Sequence, residues 1–217
     1  MEPYEAYDPH ESFNRPMYRA FDAVDRRVLQ PVARGYKRVM PNWAETGVAN
    51  FFANLRDVDG ALNALLQGKP GAAGRDLSRV VINSTIGIGG LIDVAGRSGL
   101  QPSGEDFGQT LATWGVTRTR YVYLPPLGPS TVRDVPGAAL QGATPGLLLG
   151  GGYTWWLGLI DLLSARAGAL AATDARDVAA LDPYAFTRDA YFQRRRFVIY
   201  DGDPPVEDFF DEFDDDE

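Results

Sequence analysis

Apolar residues recur at helical spacing from the start of the chain. Phe13, Met17, Phe21, Val24 and Val28 are four, four, three and four positions apart, with Arg15, Arg19, Asp22, Asp25, Arg26 and Arg27 between them. This pattern predicts a strongly amphipathic helix that Pro31 ends or follows with a new start. Tyr36, Val39 and Met40 continue an apolar side, and Pro41 restarts the pattern with Trp43, Val48, Phe51, Phe52 and Leu55. Asp57 or Asp59 is expected to cap a further helix through Ala61, Leu62, Leu65 and Leu66, which Gly68 ends. Pro70 sits where a first-turn proline belongs, and the next helix, through Leu77, Val80 and Val81, leads into a glycine segment.

Two stretches without charge interrupt this amphipathic pattern. Residues 80–92 are apolar and carry glycines at 87, 89 and 90, which predicts a helix end and a tight turn, packed either into a greasy medium or into a protein core. Residues 135–160 hold no charged side chain, a length that could span a bilayer, which takes roughly 20 apolar residues. Pro136, Pro145 and Gly150-Gly151-Gly152 are expected to break it into pieces suited to lie embedded rather than to cross. Tyr153, Trp155 and Trp156 are the aromatics that favour a membrane–water boundary. Between the two stretches, Ser98-Gly99 and Pro102-Ser103 mark a surface loop with hinge positions. Arg120 to Leu124 is the one plausible extended run, without an obvious partner, and Pro125-Pro126 bars it from a central strand. A helix through Leu162, Leu163 and Leu170, then one from Pro183 to Phe197, completes a mainly α chain.

Composition refines this picture. The net charge of −8 is concentrated in the tail: from Asp201 onward there are ten acidic residues and no basic one, leaving 19 acidic against 21 basic before it. Residues 1–200 are therefore expected to form a single domain, and residues 201–217 an acidic, disordered tail. Cysteine is absent, which excludes disulfides, cysteine metal sites and a cysteine nucleophile. The lone histidine is His10, no Gly-x-Ser-x-Gly surrounds any serine, and no phosphate-cradling glycine motif is complete, so neither enzyme chemistry, nor a metal, nor a cofactor is expected. Nucleic acid is disfavoured, since no basic stripe exceeds Arg194-Arg195-Arg196. That triplet reads either as a solvated helix end or as a contact for lipid phosphate or an acidic partner.

The motifs that follow the glycine segment are Asp93-Val94-Ala95, Glu105 to Leu111, Trp114-Gly115-Val116, Leu127-Gly128-Pro129-Ser130 and Arg133-Asp134. Before it stand Asp8-Pro9, Phe13-Asn14-Arg15, Met17-Tyr18, Pro31-Val32-Ala33, Asn50-Phe51-Phe52 and Leu66 to Pro70; Asp182-Pro183-Tyr184 and Arg188 to Arg194 come last. In this order, over about residues 8 to 200, they resemble the MlaA (VacJ) family of outer-membrane lipoproteins, which serve phospholipid transport in Gram-negative bacteria. Thr119-Arg120 departs from the family, which usually has Gly-Pro before the tyrosine.

The resemblance implies a ring-like bundle of amphipathic helices lying in the periplasmic-side leaflet of the outer membrane around a central amphipathic channel. Through it, misplaced phospholipids leave the outer leaflet for a soluble periplasmic carrier, and a trimeric porin is a partner. Family members are lipid-anchored; the leader and anchor cysteine are expected to have been removed from this chain. Two rival readings are a porin-associated structural protein that conducts no lipid, and a lipid hydrolase.

Within this frame, polar residues bordering the apolar segments, Asn83, Ser84, Thr85, Gln109 and Thr110, are expected either to line the lipid path or to satisfy backbone groups at helix ends. The loop with Gly99, Gln101, Pro102, Ser103, Gly104 and Asp106 is expected to gate the path or touch porin, or else to be an inert turn. Ile86, Ile88, Leu91, Leu147, Leu148, Trp155 and Trp156 are expected to be membrane-embedded.

Overall fold

The computed structural model describes residues 8–150 and 154–205. It is mainly α-helical. The first helical path joins α1 (Glu11–Val24), a π-helical turn (Asp25–Leu29) and α2 (Gln30–Val39). Its inward residues are Asn14, Tyr18, Asp25, Gln30 and Ala33. The five-residue step from Asp25 to Gln30 is the π turn, closed by Gln30 N–H donating to the Asp25 carbonyl. An α-helix drifts off any one face over this length, and the wider turn brings the inward stripe back into phase. The expected helix is present, but its apolar stripe is not the buried one: Phe13, Val24 and Val28 are exposed.

Pro41, in extended conformation, separates α2 from α3 (Asn42–Leu66). No second helix starts at Asp57 or Asp59, because neither caps anything. Asp57 is buried and accepts from Arg79 at 2.9 Å, and Asp59 accepts from the Thr144 hydroxyl at 2.7 Å. Gly68 ends α3 as expected, with φ +74; its N–H donates to Leu65 and that of Lys69 to Ala64, the paired bonds of a glycine C-cap. α4 (Pro70–Thr85) begins on its proline and returns along α3, turning Ala73, Asp76, Arg79 and Asn83 inward.

Short helices α5 (Val94–Arg97) and α6 (Phe107–Thr113) flank the loop of residues 98–106. The extended run does find a partner. β1 (Tyr121–Leu124) pairs antiparallel with β2 (Gly128–Thr131), Tyr121 opposite Thr131. The prolines fall in the connection, and the polar Gly-Pro-Ser-Thr of β2 carries no strand-like alternation, so it could not be read from sequence. α7 (Val135–Leu149) runs through Pro145, contrary to the expected break, and ends at Gly150, φ +73; residues 151–153 lie outside the described residues. α8 (Thr154–Gly168) and α9 (Leu170–Ala179), expected as one helix, are separate; α10 (Pro183–Ile199) follows. The tail expected from residue 201 lies outside the described residues from 206 onward.

Tyr18, Tyr121, Tyr123, Tyr184 and Phe192 form the main apolar cluster, with ring pairs such as Tyr18–Tyr123 meeting edge-on at 5.4 Å. Asn14 fixes the hairpin to α1: its Nδ2 donates to the Tyr121 carbonyl and its Oδ1 accepts from Tyr123 N–H. The side-chain amide thus completes the hydrogen bonding of a strand edge.

Candidate functional site

Burial is inverted relative to a water-soluble domain. Among the described residues, the enclosed apolar side chains are mostly alanines and aromatics, with Leu170 the single large aliphatic. Of these described residues, eighteen buried ones are polar or charged, while thirty-one large apolar side chains are exposed. Soluble monomers rarely expose apolar patches beyond a few hundred Å². No described helix is long and apolar enough to cross a membrane.

The exposed apolar surface has a rigid tip. After α4, Gly89 N–H returns to the Ser84 carbonyl, Gly90 N–H to Asn83 and Ile92 N–H to Gly87. A Cβ on Gly87 would lie 2.2 Å from the Ile92 carbonyl, so only glycine allows this closure. Ile88 holds φ +55, a left-handed conformation unfavourable for a β-branched residue. Ile86 is 69% exposed and Ile88 65%, and Leu91 projects beside them. The tip is thus a strained turn that points isoleucine outward rather than a buried one, and such strain clusters at functional sites.

A second apolar face comes from the end of α7 and from α8. Leu147 to Leu149, Trp155, Trp156, Leu159, Ile160 and Leu162 are exposed, and the two tryptophan rings lie 3.8 Å apart. α3 packs against α4, α7 and α8 and connects the two faces. At about 1 kcal/mol for burying the exposed part of each, the eight residues of the second face represent about 8 kcal/mol, comparable with a domain's whole net stability. Burial in an apolar medium would recover that energy; water does not.

The interior beneath is a polar network centred on the loop of residues 98–106. Asp76 accepts from both the N–H and the hydroxyl of Ser103, and Arg79 donates to the Leu100 carbonyl. Arg79 also lies 3.3 Å from Asp93. Asn83 Oδ1 accepts from Ala95 N–H and its Nδ2 donates to Asp93 at 2.9 Å. Asp106 caps α6 by accepting from Gln109 N–H, and Gln109 Nε2 donates to the Gly104 carbonyl. Thr110 donates to Asn63 Oδ1 at 2.9 Å. Arg195 bridges Asp106 and Asp134, and Tyr191 donates to Asp134. A Cβ on Gly108 would strike Asp134 and Arg195, so this bridge needs a glycine beneath it. Lys69 joins buried Glu105 to exposed Asp201.

Burial pushes Asp57 up to about 6, against the pull of Arg79. Burial also raises Asp106 and Asp134, but their arginine partners outweigh it and hold both carboxyls below the usual range.

The expected lipid-path residues divide in two. Asn83, Gln109 and Thr110 are enclosed and bonded within the protein, whereas Ser84 and Thr85 are exposed at the strained tip. Thr85 donates to its own helix at Val81, and Ser84 accepts from Asn54. The loop residues Gly99, Gln101, Pro102 and Gly104 are exposed, with φ +88 at Gly99 and +72 at Gly104, while Ser103 and Asp106 anchor it inward. All seven residues expected to be embedded are exposed apolar side chains. Sequence reading missed Asp57, Asp76, Arg79 and Arg195. The middle of the arginine triplet is neither a solvated helix end nor a surface contact but an internal clamp. The 3-3-4 spacing of Ala73, Asp76, Arg79 and Asn83 was the available signal, a helical stripe that happens to be polar.

Two surface cavities accompany these faces. One, of 370 Å³, is lined by Arg19, Asp22, Ala23, Arg26 and Arg27. The other, of 290 Å³, lies between α2 and α8, lined by Val32, Gly35, Tyr36, Val39, Met40 and Leu163.

The profile of the family described as MlaA lipoprotein matches residues 6–198. The intermembrane phospholipid transport system lipoprotein MlaA of Escherichia coli (strain K12) is 34% identical over 204 residues, covering 90% of this chain and 80% of that protein. The protein of the same name from Haemophilus influenzae is 33% identical over 210 residues, covering 91% of this chain and 81% of its own. A solved chain from work on the structural basis for maintenance of bacterial outer membrane lipid asymmetry superposes with a TM-score of 0.77 at 33% identity, covering 88% of this chain and 98% of that one.

Proposed function

The chain belongs to the MlaA lipoprotein family, and from that membership we propose that it serves intermembrane phospholipid transport, maintaining the lipid asymmetry of the outer membrane. The observation that carries the reading is the inverted burial: apolar side chains outside, a polar network inside, and no described helix able to span. A body of this kind lies in a leaflet, its apolar exterior against acyl chains.

In the finer form of the proposal, the body sits in the periplasmic-side leaflet as a ring-like set of helices around an amphipathic channel. Phospholipids misplaced in the outer leaflet enter it and are passed to a soluble periplasmic carrier, and a trimeric porin holds the protein in place. A phospholipid has a charged head and two apolar tails, so its path needs polar groups bordered by greasy ones. Ser84 and Thr85, exposed between Val81 and Ile86, offer that border to a headgroup. Asn83, Gln109 and Thr110 hold the wall behind them through the bonds described above. The exposed edge of the loop, from Gly99 to Gly104, gates the path or meets the porin.

The test is reconstitution of the protein with porin and carrier in vesicles whose outer leaflet contains labelled phospholipid. Transfer of intact label to the carrier, dependent on this chain, is the expected result. Porin binding without transfer would replace the proposal with a bracing role, and release of free fatty acid would replace it with hydrolysis. Bulky apolar residues at Ser84 and Thr85 should reduce transfer without unfolding the protein.

A further inference from the structure

Beyond the lipid path, the surface carries a second feature suited to lipid. We propose that the groove between α2 and α8 is an outward-facing binding site for one phospholipid, its acyl chain along Val32, Gly35, Tyr36, Val39 and Leu163 and its phosphate on Arg38. The proposal rests on the leaflet placement argued above and adds a lipid that is held rather than transported.

Three observations support it. The groove walls are almost wholly apolar, and its 290 Å³ equals the space of about ten waters, enough for a stretch of acyl chain rather than a whole lipid. Gly35 sits inside a helix, where glycine is unfavourable, yet a Cβ built on it would have no atom within 4 Å. The protein itself therefore gives no reason for the missing side chain, and the open space is what the glycine provides.

Charge complements this space. Arg34 and Arg38 each precede a groove residue, Gly35 and Val39, and so run together along one flank of the stripe. Arg34 is paired with Asp174 at 3.0 Å, and Lys37, on the other side, with Glu45 at 3.4 Å. Arg38 is exposed and makes no ion pair among the described residues, which leaves its guanidinium free for the two-pronged grip on phosphate that arginine favours.

The full chain is reconstituted in bilayers of phosphatidylethanolamine and phosphatidylglycerol that include a phospholipid bearing a photoreactive group on its acyl chain, and the labelled peptides are mapped. We expect labelling at residues 32–40 and at Leu163, reduced at least fivefold by Gly35→Phe, which fills the groove, and at least twofold by Arg38→Glu. Arg75→Glu, on the exposed side of α4, should leave it unchanged. Labelling near Ile86 and Ile88 should persist in every variant. Should Gly35→Phe fail to fold, Val39→Trp replaces it, since Val39 is exposed. Labelling of residues 86–91 with none in the groove overturns this site while leaving the leaflet placement intact; no labelling anywhere overturns both. A photoreactive residue at Val39 that cross-links to a second copy or to another protein instead of lipid also overturns it, by giving the groove a protein occupant.

Discussion

Arg79 of α4 donates to Asp57 of α3 at 2.9 Å across the helical hairpin, the two side chains being 3% and 6% exposed. Breaking such an enclosed pair from one side leaves a charge without a partner, which costs about 3–5 kcal/mol. Arg79→Ala is therefore expected to lower stability by that order in detergent, measured by chemical denaturation. A double replacement, Asp57→Leu with Arg79→Met, should recover most of the loss.

The same carboxyl sets a pH dependence of unusual sign. Asp57 is raised from 3.8 to about 6, so between those values the folded state binds more protons than the unfolded state. Its contribution to stability is then largest below pH 3.8 and declines as pH rises through 6. Asp106 and Asp134, held low by arginines, act oppositely and lose their contribution only as pH falls below the ordinary carboxylate range. Wild type should thus gain stability relative to Asp57→Asn as pH is lowered from 7 to 5. A flat difference between the two over that range would contradict the assignment.

Glycines in the α3–α4 hairpin should respond to alanine in opposite directions. A Cβ on Gly60 would lie 2.7 Å from Asp76 Oδ2, displacing the carboxylate that holds Ser103. Gly60→Ala is expected to cost about 1–3 kcal/mol and to speed proteolysis in residues 98–106. Gly74, with nothing within 4 Å, should gain about 0.4–1 kcal/mol on the same change. Equal melting temperatures for the two variants would show that the tight contact does not matter.

Ile88 separates strain from membrane contact. Ile88→Gly relieves the φ +55 conformation and should raise stability in detergent by about 1–2 kcal/mol. Removing the side chain also removes about 1.5–3 kcal/mol of apolar burial if the tip lies among acyl chains, which corresponds to roughly ten- to 150-fold weaker partitioning into vesicles. Greater stability with unchanged partitioning would mean that the tip faces water.

Arg195 is the clamp between the cap of α6 and the segment after β2. Arg195→Lys keeps the charge but loses the fork that reaches both Asp106 and Asp134. Amide exchange in residues 104–113 should accelerate in that variant, and further in Arg195→Ala, whereas exchange within α1 should not change.

Much of the fold could be read from helical spacing and punctuation. Pro70 and Gly68 stand at the helix ends their chemistry predicts, and both uncharged segments turn large apolar side chains outward. Which face of each helix turns inward could not be read in this way. Amphipathic patterning identifies the buried face only when water is outside; here Leu65, Leu77 and Val81 point outward while Asp76 and Arg79 point in. The hairpin was half hidden for a different reason, since β2 is stabilised by its register with β1 and by Asn14, neither visible within its own four residues. Polar candidates such as Asn83 and Thr110 were found because they border apolar runs, but the partners that enclose them, Asp93 and Asn63, lie on other elements.

The π turn at Asp25–Leu29 makes the first helical path tolerant of losing one residue at that point, in a way its surface does not suggest. Its surplus residue acts as a phase corrector: relaxation of the turn into a regular helix with no residue lost would rotate everything before it by about 100° relative to α2, whereas loss of one residue within it lets a regular helix form with both flanks in phase. Without that loss, a regular helix would swing Asn14 off the β1 edge and Tyr18 out of the aromatic cluster, while Ala33 stayed against Ala167. A single-codon deletion in this stretch would therefore leave the hairpin held to the rest of the molecule, because the regular helix it produces presents the same inward face.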